Sequence, residues 1–139
     1  MLTISRDDIR SVATWPMVIE ATRDGHRLPK ASIGDTFVHA GNNTMLVRSA
    51  WIQGLSAGVK AATVVPGNEA PLPSIHAQVM LFDDQTGELW ATLEGGEITG
   101  WKTAADSALG ADLLARPDVR TLLMVGAGSM AEPLIQAHL

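Results

Sequence analysis

The feature that most constrains the fold of this chain is a glycine-rich segment near residue 130. An apolar run over residues 120–125 leads directly into the sequence GAGSMA, residues 126–131, and residues 132–139 have helical character. In a strand–turn–helix setting this G-x-G-x-x-A pattern binds dinucleotides, because its first glycine permits a tight turn and its second lets the backbone approach a pyrophosphate. An ordinary glycine turn is the alternative, and the apolar run directly before the glycines favours the dinucleotide site.

The printed sequence reaches only the first helix of such a nucleotide-binding domain. The acidic residue that binds the ribose is expected about 20 residues after the glycines. We therefore expect this chain to be the N-terminal part of a larger nucleotide-dependent enzyme. Residues 1–117 would form a first domain, and residues 118–139 would begin an incomplete Rossmann domain. NAD and NADP both stay open, since the ribose-binding residue distinguishes them.

Composition excludes several classes of function. A net charge of -5 and a pI near 5.2 argue against a nucleic-acid partner, which prefers a basic face. The sequence contains no apolar run long enough for a membrane span. The absence of cysteine excludes disulfides and thiolate metal sites and fits a cytoplasmic protein. The histidines have no metal-ligand spacing, so no metal is expected.

Residues 1–117 predict an α+β body. Ser5 and Asp8 have the spacing of a capping box, and Thr14 with Pro16 predicts the start of a second helix that ends near Gly25. Strands are predicted over residues 31–38, 45–52, 58–65, 74–82 and 88–93, and a long helix over residues 99–116. In the fourth of these strands the alternation places Ile75, Ala77, Val79 and Leu81 on one face. The apolar faces of such a mostly antiparallel sheet predict a homodimer.

Several short phrases occur in a specific order and spacing. They are Gly58-Val59-Lys60, Pro66-Gly67-Asn68, the hairpin over residues 82–88, the helix start over residues 99–105, and Val125-Gly126-Ala127-Gly128. Together these phrases resemble the ornithine cyclodeaminase/mu-crystallin family over essentially the whole chain. The glycine pattern alone is a weak signal, whereas the ordered set is specific.

The resemblance implies a two-part architecture and a redox function. An N-terminal α+β domain would build the dimer interface and part of the substrate pocket, and a Rossmann domain would bind NAD(H) or NADP(H). Members interconvert amino acids and imino or keto acids by hydride transfer, or cyclise ornithine to proline. We therefore expect a small amino or imino acid as substrate. The family's acid/base aspartate has no counterpart in residues 1–139, so no catalytic residue is assigned and the chain alone is expected to be inactive.

The resemblance also assigns binding residues. Lys60 and Lys102, with Lys30 by a less secure alignment, fall on cationic positions that hold the substrate carboxylate. The cofactor would contact Thr103 and the glycine turn, through Gly126, Gly128, Ser129 and Met130. At positions 30 and 102 the family usually has arginine, whose planar fork grips a carboxylate with two bonds, while lysine offers a point charge. The acidic character of the ligand is kept, and its identity stays open.

Alternatives to these assignments stay open. The chain has only three lysines, Lys30, Lys60 and Lys102, and each could be an ordinary surface residue. Arg48 is interpreted as an exposed strand residue, with a second carboxylate contact as the alternative. His76, Asp83 and Asp84 are interpreted as hairpin and turn residues. The alternative to an enzyme is a non-catalytic dimerisation or ligand-binding fragment resembling mu-crystallin.

Overall fold

The computed structural model describes every residue from Met1 to Leu139 as an α/β fold with one six-stranded sheet. Its elements are β1 (Leu2–Ile4), α1 (Arg6–Val12), α2 (Trp15–Arg27), β2 (Ser32–Ala40), β3 (Asn43–Ile52), β4 (Ser56–Val64), β5 (Ile75–Asp83), β6 (Leu89–Glu94), α3 (Gly95–Leu114) and α4 (Ala131–Ala137). The chain divides into two compact units. The first contains residues 1–9 and 29–97, and the second contains residues 10–28 and 98–139. The predicted functional boundary near Pro117 stays a prediction. No helix of the chain is both long enough and apolar enough to cross a bilayer.

The sheet has the strand order β1-β6-β5-β4-β3-β2. Strands β2 to β6 form successive antiparallel pairs, as the alternating sequence pattern predicts. Their bounds lie within two residues of the predicted ones. The parallel edge strand β1, paired to β6 through Leu2 and Ala91, was not predicted. Three residues are too few to establish a periodic signal.

The start of α1 confirms the predicted capping box. The Ser5 backbone N–H donates to Asp8 Oδ2 at 2.9 Å, and the Asp8 N–H donates to Ser5 Oγ at 3.2 Å. The Ser5 hydroxyl donates to the same carboxylate at 2.6 Å. These bonds from Ser5 lower the pKa of Asp8. Each side chain thereby satisfies a backbone donor that the helix leaves without a partner.

The start of α3 differs from the prediction, because the helix begins at Gly95 and Thr99 lies inside it. Glu94 takes the place of the predicted threonine cap: its carboxylate accepts from the N–H groups of Gly96 at 3.0 Å and Glu97 at 2.6 Å. Gly95 packs so closely on β5 that an added Cβ would lie 2.5 Å from the Ala77 carbonyl carbon. Glutamate is an unusual cap, so sequence preferences placed the start one turn late. The helix ends at Leu114, two residues before the predicted Arg116.

The second unit has a core of small side chains. Ala104 and Ala108 of α3 and Ala137 of α4 are buried, and the larger side chains Trp15, Ile19, Met130 and Leu134 pack around them. The rings of Trp15 and Trp101 lie in a tilted contact, with centroids 4.1 Å apart and an angle of 40° between their planes. Alanines on one side of α3 let neighbouring helices approach closely, which explains how a chain with 4% aromatic residues builds this core.

The strand predicted over residues 120–125 is absent from the structure, while the glycine turn and its helix α4 are present. A strand requires hydrogen bonds from a neighbouring strand, and the six-stranded sheet contains no partner for these residues. Leu123 is 83% exposed and Val125 is 86% exposed. The apolar pattern alone therefore does not produce a strand here.

Candidate active site

Lys60 lies in the middle of β4 and is half-buried. In the sheet register it stands directly opposite Arg48 of β3 and Val79 of β5. Residues that oppose each other in this way project from the same face, with Cβ atoms about 4.5–5.5 Å apart. Gly58 and Ala62, two positions away along β4, share that face. Two cationic side chains therefore stand next to each other above small residues.

Arg48 is held by a carboxylate on its other side. Asp35 of β2 stands opposite Arg48 in the register, and the two side chains form a bidentate pair. Arg48 Nε donates to Asp35 Oδ1 at 2.8 Å, and Arg48 Nη2 donates to Asp35 Oδ2 at 2.7 Å. These bonds from Arg48 lower the pKa of Asp35. The face thus carries a row of Asp35, Arg48 and Lys60 across three strands.

The row places Arg48, for which a second carboxylate contact is the alternative interpretation from sequence, beside Lys60. Arg48 was interpreted as an exposed strand residue, and its side chain is exposed, but the register brings it beside Lys60. The signal was the hairpin between β3 and β4. Its turn is centred on Gly54, which has a φ of +81°, and positions at equal distances from that turn face each other.

The structure places Lys102 and Lys30 in different surroundings. Lys102 is an exposed residue of α3, and its ammonium group forms an ion pair with Asp106. His26 Nε2 of α2 lies 3.4 Å from the other oxygen of the same carboxylate. The bond from Lys102 is the main cause that lowers the pKa of Asp106. Lys30 is exposed in the segment between α2 and β2.

The residues predicted to bind a dinucleotide lie in the second unit. Gly126 has a φ of +103°, a conformation that side chains other than glycine rarely adopt. Gly128 to Met130 form a turn in which the Ala131 N–H donates to the Gly128 carbonyl at 2.9 Å, and α4 follows. A Cβ added at Gly126 or Gly128 would meet nothing within 4 Å. The backbone of this turn is open to a ligand, and Ser129 and Thr103 are exposed as well.

The first unit also contains a cavity. Its volume is about 430 Å³, and its lining includes Trp51, Val59 and Phe82. Val59 is the residue before Lys60 on β4 and projects from the opposite face of the sheet. Trp51 and Phe82 both stand opposite Ala57, two residues before Val59, so they share the face of Val59. The Trp51 indole N–H donates to Asp84 Oδ1 at 2.6 Å, and this bond is the main cause that lowers the pKa of Asp84. The charged row of Asp35, Arg48 and Lys60 lies on the other face, which also exposes the apolar side chains of Ile33 and Phe37.

The turn residues have structural roles. Asp83 Oδ1 accepts from the N–H groups of Gln85 at 3.0 Å and Thr86 at 2.8 Å, which closes the β5–β6 turn. The chain contains no group of three or more histidine, aspartate and glutamate side chains arranged to hold a metal ion.

Sequence comparison finds related enzymes. The family model described as the ornithine cyclodeaminase/mu-crystallin family matches residues 29–138. A Δ1-pyrroline-2-carboxylate reductase of Paracoccus denitrificans is 46% identical over 97% of this chain and 43% of that protein. A Δ1-pyrroline-2-carboxylate reductase of Bacillus cereus is 35% identical over 99% of this chain and 45% of that protein. The chain therefore spans less than half the length of these relatives.

Solved structures with the same fold include three enzymes with a bound nicotinamide cofactor. The Thermococcus litoralis Δ1-pyrroline-2-carboxylate reductase in complex with NADH and L-proline matches with a TM-score of 0.86 and 29% identity, over 99% of this chain and 45% of that one. The iminosuccinate reductase of Paracoccus denitrificans in complex with NAD+ matches with a TM-score of 0.87 and 26% identity, with the same coverage. An archaeal alanine dehydrogenase dimer shares the fold with a TM-score of 0.90 at 22% identity, over 99% of this chain and 44% of that one.

Proposed function

Because the chain belongs to the ornithine cyclodeaminase/mu-crystallin family, we propose that it is the substrate-binding part of an NAD(P)-dependent imino-acid reductase. A cyclic imino acid with one α-carboxylate, of the Δ1-pyrroline-2-carboxylate type, is the proposed substrate class. The 46% identity to a Δ1-pyrroline-2-carboxylate reductase supports this class. Residues 1–117 are assigned to substrate binding and dimerisation, and residues 118–139 to the beginning of the nucleotide domain.

The observation that carries this proposal is the pair of cations on one face of the sheet. Lys60 and Arg48 oppose each other in the register, and Asp35 fixes the guanidinium group of Arg48. A carboxylate between the two cations would accept charge-assisted hydrogen bonds, which are stronger than those between neutral groups. Holding the carboxylate fixes the neighbouring α-carbon, so that the hydride acceptor is oriented before reaction. The family resemblance also proposes Lys102 and Lys30 as carboxylate contacts.

The glycine turn is the proposed pyrophosphate contact. The positive φ of Gly126 and the open backbone at Gly128 fit a phosphate that approaches the chain closely. Ser129 and Met130 follow in the same turn, and Thr103 of α3 is the proposed additional contact. The cofactor, NAD or NADP, supplies the hydride when it is bound. The proposed role of the residues of this chain is to bind and orient the substrate and the cofactor.

A homodimer formed through the face of the sheet opposite Lys60 is part of the proposal. Val38, Met45 and Trp51 project from the face opposite Lys60 and are 56%, 45% and 49% exposed. Exposed apolar side chains without a charged neighbour in their own row favour burial against a partner, whereas the exposed Ile33 and Phe37 flank the charged Asp35 on the other face. A second copy of the chain would offer the same face.

Two experiments test the function. The first is to sequence the gene beyond codon 139, where a continuing frame with further Rossmann strands supports the reductase and a stop codon favours the alternative of a non-catalytic binding fragment. The second is to screen the full-length protein with NADH and NADPH against Δ1-pyrroline-2-carboxylate, iminosuccinate, ornithine and alanine. We expect the highest kcat/KM for the cyclic imino acid. A full-length protein without turnover on any of these compounds would contradict the proposal.

A further inference from the structure

Lys102 is coupled to a carboxylate that also contacts a second helix. Asp106, one helical turn after Lys102 on α3, pairs with the lysine ammonium group through Oδ2. Its Oδ1 lies 3.4 Å from Nε2 of His26 on α2. The Asp106 side chain is 32% exposed, compared with 65% for Lys102 and 69% for His26. The carboxylate is therefore the most enclosed member of a Lys–Asp–His chain within the second unit.

Helix stability does not account for this pair. An exposed pair spaced i, i+4 stabilises a helix weakly, and the order with the acid first and the lysine second is the more favourable one. Lys102 and Asp106 have the reverse order. The nearby pair of Arg23 and Asp112, at 2.7 Å, already links α2 to α3 by the same chemistry. Asp106 thus adds little as a helix stabiliser or as a link.

The side chain of Lys102 gives Asp106 a different role. Lysine is a point charge on a flexible stem, whereas arginine presents a rigid planar fork. A lysine that binds a carboxylate therefore benefits from a second group that limits the directions of its ammonium group. An ammonium group has three donors, so one bond to Asp106 leaves donors for a ligand.

We propose that Asp106 is a positioning residue for Lys102, which holds the ammonium group in one direction for the substrate carboxylate. Asp106 does not touch the substrate, and His26 restrains Asp106 from the other side. The proposal rests on the proposed function, in which Lys102 contacts the substrate. It identifies a partner that replaces the rigidity of an arginine fork at this position.

The first test observes the lysine directly and requires no activity. The chain has only three lysines, so the ammonium signals in a 1H–15N spectrum can be assigned with Lys102→Met. We expect a Lys102 signal in the wild-type protein because the ion pair slows exchange with water. That signal should be lost in Asp106→Asn and restored in Asp106→Glu. The matched control Asp112→Asn removes the other carboxylate that pairs with α2 and should leave the Lys102 signal unchanged. A Lys102 signal that persists in Asp106→Asn, or that is absent from the wild type, overturns the proposal.

The second test separates positioning from stability by steady-state kinetics of the full-length enzyme. Asp106→Asn should raise KM for the imino acid roughly tenfold and change kcat less than about twofold. In a Lys102→Arg background the same substitution should raise KM less than about twofold, because the planar guanidinium group is already rigid and does not require a second residue to orient it. An unchanged or lowered KM in the Lys102 background overturns the proposal. If Lys102→Met leaves KM unchanged, the role of Lys102 in the proposed function fails, and the spectrum still decides whether Asp106 holds the lysine.

Discussion

At the scale of single residues, the proposed site depends on how three charges are arranged across three strands. Asp35 binds Arg48 through both of its oxygens, and Arg48 stands beside Lys60. A guanidinium held by two parallel bonds has a fixed orientation. We therefore interpret Asp35 as the residue that orients Arg48, and we interpret Arg48 and Lys60 as the carboxylate contacts.

This arrangement predicts that substitutions of Arg48 and of Asp35 lower kcat/KM to different extents. In the full-length enzyme, Arg48→Met should lower kcat/KM for the imino acid by roughly tenfold to a hundredfold, since a charge-assisted contact is lost. Asp35→Asn should lower it less, because the arginine keeps its charge and loses only its orientation. Initial rates at several substrate concentrations measure both effects. Equal losses in the two variants would contradict the assigned roles.

The Asp8 carboxylate gives a prediction about pH. Its pKa is lowered in the folded protein by bonds from Ser5, relative to an ordinary aspartate near 4 in the unfolded chain. A group with a lowered folded pKa contributes its stability above the unfolded value and loses it as the pH falls through the folded value. The difference in unfolding free energy between the wild type and Asp8→Asn should therefore shrink between about pH 6 and about pH 2.5. Urea unfolding at both pH values measures it, and an equal difference at both would contradict the role of this carboxylate.

At the scale of elements, the junction between β6 and α3 shows why close packing matters. An added Cβ at Gly95 would lie 2.5 Å from the Ala77 backbone, whereas one at Gly100 in the same helix would meet nothing within 4 Å. Arg6 Nη2 lies 3.8 Å from Glu94 Oε1, and Arg6 Nε lies 3.7 Å from Glu97 Oε2. These ion pairs add charge contacts at the start of α3. The position of the helix start is therefore set by contacts with β5 and α1.

The two glycines give a matched pair of substitutions. Gly95→Ala should destabilise the fold by about 1–3 kcal/mol, because the backbone of β5 must shift to admit the methyl group. Gly100→Ala should stabilise it by up to about 1 kcal/mol, since alanine is the better helix former and the space is open. Chemical unfolding of the two variants beside the wild type measures both values. A destabilising Gly100→Ala or a neutral Gly95→Ala would contradict the described packing.

The elements also show how far the sequence could predict this fold. The alternation of apolar and polar residues predicted β2 to β6, and the Ser5–Asp8 spacing predicted the start of α1, because both signals are local. The start of α3 was predicted at Thr99, since the contact between Gly95 and Ala77 joins residues far apart in sequence. The site was predictable in part: the scarcity of lysine and the family phrases singled out Lys60. The neighbouring Arg48 required the register of the hairpin.

At the scale of the whole molecule, the two sheet faces have different proposed partners. The face with Lys60 carries charge, and the opposite face carries the apolar cavity beside Trp51 and Phe82. We assign the first face to the substrate and the second to another copy of the chain. The sequence indicates apolar alternation within each strand. Which residues share a face of the whole sheet depends on the register across all five antiparallel strands, and the sequence alone does not give that register.

The proposed dimer predicts a concentration-dependent mass. Sedimentation at tens of micromolar should give a dimer for the wild type, and Val38→Asp should shift the population towards the monomer, because an aspartate cannot be buried in an apolar interface without cost. The control Phe37→Asp changes the adjacent residue, which projects from the other face. It should leave the mass unchanged. A monomeric wild type, or a dimer that Val38→Asp does not weaken, would contradict this interface.

The central claim is that this chain contributes the carboxylate-binding side chains of an imino-acid reductase. The most direct test is kcat/KM for Δ1-pyrroline-2-carboxylate, measured with NADH and NADPH, for the full-length wild type and its Lys60→Met variant, with an unchanged melting temperature as the control for folding. We predict measurable reduction by the wild type and a loss of roughly tenfold to a hundredfold in Lys60→Met, at about 1.4 kcal/mol per tenfold. A Lys60→Met enzyme with unaltered kcat/KM on this substrate would contradict the account.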